Sequence, residues 1–176
     1  SKGVNTVFQT GEMVNNVMKD LFKDVDIYDN FIMLLQHEFT SPIGRTAISF
    51  YRYFIEDTTY VDKDLCYHIL FYPNNHQDFG FQGELWVMAD SSLHVRRCTL
   101  TIPHQSEVNY VKSMHITQEY EPANNGEWCL SKDDMWAEFR MYDFLPDALV
   151  ARNTRLTDYN FKPFPDKEFR GKAKEY

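Results

Sequence analysis

Between Leu65 and Ile102 the sequence LCYHILFYPNNHQDFGFQGELWVMADSSLHVRRCTLTI alternates apolar and polar positions with a period of two, the pattern of half-buried strands. Three antiparallel strands are predicted. Parity tests them, because core-facing residues of neighbouring strands must stand on the same side of the sheet. With Ser91-Ser92 as the hairpin loop, Asp90 opposes Leu93, Val87 opposes Arg96, Leu85 opposes Cys98, Gly83 opposes Leu100 and Phe81 opposes Ile102. With Asn74–Asp78 as the preceding loop, Phe71 opposes Phe81, Ile69 opposes Gly83 and Tyr67 opposes Leu85. Both turns give one core face: Tyr67, Ile69, Phe71, Phe81, Leu85, Val87, Cys98, Leu100 and Ile102. On the other face Gln82, Glu84, Trp86 and Met88 meet Thr101, Thr99, Arg97 and Val95, a mixed surface on which Arg97 can make a cation–π contact with Trp86.

Upstream, Met13, Val14, Val17, Met18, Leu21, Phe22 and Val25 line one face of an amphipathic helix over Thr10–Val25, with Thr10 as N-cap, expected to pack on the sheet. From Asp26 to Phe39 the run is apolar without a clean period, and strand and helix both remain open. Thr40-Ser41-Pro42-Ile43-Gly44 breaks regular structure. A strand over Ala47–Glu56 would put Ile48, Phe50 and Phe54 on one face and Tyr51, Tyr53 and Ile55 on the other. Further strands are expected over Val108–Glu121, with Val108, Tyr110, Met114 and Ile116 on one side, then Trp128–Leu130, Met135–Tyr142 with Met135, Ala137, Phe139 and Met141 on one face, and Leu149–Asn160. Short connections leave no room for helical crossovers, so the sheet should be antiparallel. The fold expected is mainly β (α+β): a strongly curved, incompletely closed barrel or half-barrel of about seven strands with the N-terminal helix against it. Residues 1–161 would form one domain and 162–176, from Lys162-Pro163-Phe164-Pro165 onward, a linker or frayed tail.

Composition narrows the function classes. Aromatic residues make up 16% of the chain, which suits pleated strands and offers an apolar groove as one use of the surplus. A net charge of −8 carries no footprint for a phosphate backbone, so nucleic acid is not an expected partner. No apolar run approaches the roughly 20 residues of a spanning helix, and SKGVNTVFQT lacks the core of a signal peptide; the chain reads as cytoplasmic or as a piece of a longer exported protein.

Candidate chemistry is sparse. Cys66, Cys98 and Cys129 form an odd set without a C-x-x-C spacing, which favours buried thiols over a disulfide framework or zinc site. His37, His68, His76, His94, His104 and His115 show no i, i+4 pair of the zinc-protease kind, and no metal or other cofactor is expected. Gly80-Phe81-Gln82-Gly83 lies within a strand, where glycine marks a bulge or a close backbone approach rather than a phosphate loop. Glu84 and Glu119 are the carboxylates an acid–base pair would draw on, and a hydrolase is the weakest reading. A lipid, acyl chain or hydrophobic peptide bound on the aromatic side of the sheet would meet Tyr67, Phe71, Phe81, Trp86, Tyr110 and Met114.

YDNFI at Tyr28–Ile32, FTSPIG at Phe39–Gly44, FYRYFIEDT at Phe50–Thr58, CYHILFYP at Cys66–Pro73, QDFGFQGELWVMADSSLHVRR at Gln77–Arg97, and VNYV followed by ITQEYE within Val108–Glu121 together resemble an uncharacterised domain family. In that family the domain follows a carboxypeptidase-regulatory-like β-sandwich and precedes a C-terminal outer-membrane β-barrel. The resemblance covers Val25–Tyr142 and contains no catalytic motif. It implies a periplasmic domain of a Gram-negative outer-membrane protein, non-enzymatic, with the adjoining domains of its own chain as partners. A looser similarity, by analogy of shape, links the sheet to the half-barrel of lipoprotein-localisation factors. The expected function is binding of an apolar ligand or a protein segment on the concave sheet; the alternative is a spacer or docking domain that packs on its barrel and shows an exposed apolar patch.

Overall fold

The structure is a computed structural model that describes residues 23–75, 80–102, 111–140, 148–156 and 174–175, together with Glu12, Asn15 and Lys19. In chain order the elements are β1 (Phe31–Leu34), β2 (His37–Thr40), one helical turn α1 (Ala47–Phe50), β3 (Tyr51–Val61), β4 (Asp64–Pro73), β5 (Gln82–Met88), β6 (Val95–Ile102), β7 (Val111–Pro122), β8 (Trp128–Phe139), β9 (Ala148–Arg155) and β10 (Lys174–Glu175). Strands β3 to β9 pair antiparallel, each with its neighbours in sequence, and β10 adds a two-residue pairing outside β9. The end strands do not meet, so the sheet is open rather than a closed barrel.

The stretch left open between strand and helix is the β1–β2 hairpin, which forms a second, two-stranded sheet. Its turn uses Leu35 and Gln36, both left-handed at φ 52° and 64°, the backbone that suits the twist of a two-residue hairpin. Ile32, Leu34, Leu35 and Phe39 turn inward and, with Val25 and Ile27 before them, join Phe71, Phe81, Leu100, Met114, Ile116 and Met135 in one buried cluster. The Phe39 and Phe81 rings stack at 4.7 Å. Residues 25–41 are thus a strap across the apolar face of the sheet.

Polar groups hold the strap at fixed points. The Tyr51 hydroxyl donates to the Thr40 carbonyl at 2.6 Å and accepts from the Phe81 amide at 3.0 Å, while Tyr53 donates to the Pro42 carbonyl at 2.7 Å. Burial pushes the Tyr53 phenol up to about 12 and the Tyr51 phenol higher, so both keep their protons across the physiological range. The Ser41 hydroxyl donates to the Ile27 carbonyl. At the far side Gln118 donates to the Val25 carbonyl at 2.7 Å, Tyr120 donates to Gln118 at 2.7 Å, and Arg152 meets the buried Asp133 at 3.0 Å. Burial raises the Asp133 carboxyl, and the Arg152 cation works against that shift. Unpaired, these groups would cost more than they contribute; paired, they fix where the strap begins.

Several expectations are corrected. The helix expected over Thr10–Val25 does not reach its expected end: Lys23–Val25 is non-helical, with Val25 buried as the start of the strap, while Glu12, Asn15 and Lys19 are helical and the rest of Thr10–Phe22 lies outside the described residues. The strand expected from Ala47 begins at Tyr51, since Gly44–Phe50 turns through short-range bonds from Ala47 N to Gly44 O and from Ser49 N to Thr46 O; Ile48 is consequently exposed. Trp128–Leu130 and Met135–Tyr142 are one strand to Phe139, and Met141 lies outside the described residues. Of the expected tail only Lys174–Glu175 is described.

Registers show how parity constrains more than it specifies. Leu85↔Cys98 and Gly83↔Leu100 pair as expected, but Val87 pairs with Val95, because Arg96 is the extra residue of a β-bulge and the loop is wider than Ser91-Ser92. Arg96 is buried and closes on Asp64 at 3.1 Å, Asp62 at 2.9 Å and the Tyr120 carbonyl at 3.2 Å, interactions that reward its displacement from the ladder. Between β4 and β5 the partners are Phe71↔Gly83, Ile69↔Leu85 and Tyr67↔Val87, two residues from the expected register and on the expected face. In the β5–β6 loop Leu93 is left-handed at φ 52° with its side chain exposed. Leu93→Gly should therefore stabilise the protein by about 0.5–1 kcal/mol, read as a higher urea midpoint at unchanged slope.

Candidate functional site

The antiparallel strands β3 to β9 give the sheet two faces with different side chains. On the face away from the strap, cross-strand pairing lines up Asp57, His68, Trp86, Arg97, Glu119, Lys132 and Arg155 in one row from β3 to β9. The His68 ring stacks on Trp86 at 4.7 Å, and its two nitrogens reach Asp57 at 3.2 Å and Glu84 at 3.1 Å. Arg97 lies 5.3 Å from the Trp86 centroid and pairs with Glu119 at 2.7 Å, the cation–π contact expected from the strand pattern. Nearby, His115 stacks on Trp136 at 4.0 Å and contacts the Thr101 hydroxyl at 3.0 Å.

The charged members of the row are each paired: His68 with Asp57 and Glu84, Arg97 with Glu119, and Lys132 and Arg155 with Asp134. Glu84 and Glu119 are committed separately, to His68 and Arg97. The nitrogens of His68 point to different carboxylates, so they cannot converge on one ion, and among the described residues no group of three or more His, Cys, Asp or Glu is placed to hold a metal. Cys66 and Cys98 are buried and Cys129 half-buried, all free, and burial pushes each thiol up, away from the reactive thiolate.

Burial lowers the pKa of His115, so the folded state holds it neutral where the unfolded chain would protonate it. Its contribution to stability is complete above the ordinary histidine value and is lost as pH falls below it through the depressed folded value. Urea midpoints should drop on that acid side in the wild-type chain, and this part of the slope should vanish in His115→Gln.

The other face is covered unevenly. Beneath the strap Tyr51 and Phe71 are fully buried, but toward the tip of the β3–β4 hairpin the same face emerges into solvent. Register places Ile55 opposite Ile69, Thr58 opposite Tyr67 and Tyr60 opposite Leu65, all on the core side. Ile55 is 72% exposed, Tyr60 67%, Leu65 41% and Tyr67 39%. These four side chains continue the core beyond the reach of its cover, over roughly 15 Å of strand. Such a contiguous patch marks an interaction surface far more often than four scattered apolar residues would.

Of the six residues expected to meet a ligand, the five described are not brought to one exposed surface. Phe71, Phe81 and Met114 are sealed in the core, Trp86 stands on the opposite face between His68 and Arg97, Tyr67 belongs to the bare patch, and Tyr110 lies outside the described residues. Ile55, Tyr60 and Leu65 were missed. Ile55 shares the face of Tyr51 and Tyr53 as the alternation indicated, but Tyr60 lies past the expected strand end at Glu56, which the β-bulge at that residue disguises.

A family model described as a family of unknown function (DUF5686) matches residues 4–150. The chain belongs to this family. The match spans β1 through most of the sheet, including the strap, the bare patch and the outer row from Asp57 to Lys132, and ends before Arg155. No curated protein and no solved structure matches the chain.

Proposed function

We propose that this family member is a non-enzymatic periplasmic domain of a larger outer-membrane protein, and that it docks on an adjacent protein segment through the bare apolar end of its sheet. The observation that carries the reading is the exposure of Ile55, Tyr60, Leu65 and Tyr67 on a face that is otherwise core. The resemblance to domains set between a carboxypeptidase-regulatory-like sandwich and an outer-membrane barrel supplies the setting, with those neighbours as the available surfaces. In this reading the open sheet and its strap form a half-barrel that is already filled. The place an acyl chain would occupy holds Ile27, Leu34, Leu35 and Phe39, each at most 1% exposed, which favours docking over a lipid cargo.

The test is photo-crosslinking in cells. A benzophenone side chain at Tyr67 of the full-length protein should give an adduct within the outer-membrane fraction, and the same group at Ser49, exposed on α1, should not. Recovery of the protein from the cytosol, or equal adducts from both positions, would refute the proposal. Saturable binding of a dansylated fatty acid by the 176-residue chain would favour the lipid reading instead.

A further inference from the structure

The two edges of the sheet are unlike. At one, β9 is paired for two residues by β10; at the other, β3 stands last in the order, with no strand beyond it among the described residues. Natural sheets guard such edges with lysine, proline, short strands or a bulge. β3 runs 11 residues, YRYFIEDTTYV, with no lysine and no proline, and its one irregularity is the bulge at Glu56. Phe54, Ile55 and Tyr60 along it are exposed.

We propose that the open edge of β3 takes up an extended peptide by strand addition, and that the peptide alternates apolar and basic residues. The proposal rests on the docking reading above and gives it a mode and a partner chemistry. An added strand continues the pleat, so its alternate side chains fall on opposite faces of the sheet. On the core side they would lie beside Ile55 and Tyr60 and extend the bare apolar patch. On the other side they would lie beside Asp57, which stands opposite His68. From Tyr53 to Val61 the strand carries Glu56 and Asp57 and no cation, and among the described residues Glu56 has no ion pair. Arg52, the one cation of β3, is turned to Asn74 at 2.8 Å.

The same charges argue against a second copy of this chain as the occupant. Glu56 is the midpoint of Tyr51–Val61, so antiparallel self-pairing along the full strand sets Glu56 directly against Glu56 of the other copy, with the two Asp57 residues one position to either side. Like charges placed opposite one another destabilise a strand pair.

The test titrates fluorescein-labelled peptides of about nine residues, the length of one strand, into the 176-residue chain and reads anisotropy. A peptide alternating valine and lysine should bind at least about tenfold more tightly than one alternating valine and glutamate, one with the same valines and lysines in two blocks, or the alternating peptide N-methylated at every second residue. Hydrogen exchange over residues 50–61 should slow when it binds. Glu56→Lys combined with Asp57→Lys, checked for folding by circular dichroism, should shift the preference to the valine–glutamate peptide. Equal binding of the N-methylated peptide would overturn strand addition while leaving apolar docking intact, since docking by side chains alone needs no peptide N–H. Equal binding of the block peptide would overturn the alternation. Concentration-dependent protection of residues 50–61 without peptide would assign the edge to self-pairing and overturn the basic partner.

Discussion

Gly83→Ala is expected to destabilise the native sheet severely. A Cβ at this position would stand 1.9 Å from the Thr99 carbonyl oxygen and 3.0 Å from Cζ of Phe71. The first contact is with backbone, so it cannot be relieved by turning a side chain; β5 and β6 would have to part where Gly83 pairs with Leu100. A cost above about 4 kcal/mol is expected, a large share of the 5–15 kcal/mol by which a domain of this kind is stable. Gly126 provides the contrast. It occupies φ 85° in the β7–β8 turn with nothing near its missing Cβ, so Gly126→Ala should cost about 1 kcal/mol, the price of left-handed backbone alone. Far-UV circular dichroism during urea titration measures both. A Gly83→Ala chain that melts with the wild type would mean that the β4–β5–β6 registers are wrong.

The second large effect concerns the strap. Phe39 has no exposed surface, stacks on Phe81 and sits where β2 crosses the sheet, so Phe39→Ala should destabilise the whole domain by about 3–5 kcal/mol in a single transition. A detachable lid would behave differently. Weakening it would leave the main transition in place, add an earlier one and expose apolar surface that binds a hydrophobic dye under native conditions. One shifted transition and no native-state dye binding are expected, because Ile27, Leu34 and Leu35 are as completely buried as the sheet residues they cover.

Much of this organisation is legible in the residues. The alternation of Leu85 with Val87, of Cys98 with Leu100 and Ile102, and of Met135 with Ala137 and Phe139 named core faces that the structure keeps, because facing a core is decided by period and burial together. Register was less legible. A shift of two residues preserves parity, so the β4–β5 pairing Phe71↔Gly83 could not be told from Phe71↔Phe81 by pattern. The bulge at Arg96 depends on carboxylates, Asp62 and Asp64, that lie more than 30 positions away in sequence. The strap was hidden for a local reason: its turn puts Leu35 and Gln36 in left-handed backbone, without the glycine or asparagine by which such turns are usually recognised. The candidate surface suffered most. Aromatic content marked Phe71 and Phe81, and apolar alternation marked Met114, but exposure, which separates a surface from a core, depends on where residues 25–41 stop covering the sheet.

That boundary carries the proposed docking: Leu65 and its neighbours are bare in this domain, and the proposal has them covered in the whole protein. Leu65→Cys in a Cys129→Ser background places a reporter thiol there, since the remaining Cys66 and Cys98 are buried. The rate of its modification by a maleimide compares the isolated 176-residue chain with the full-length protein in native outer membranes. Labelling should be fast in the isolated chain and slower by at least about tenfold, the equivalent of about 1.4 kcal/mol of protection, in the full-length protein. Equal rates in the two would contradict it.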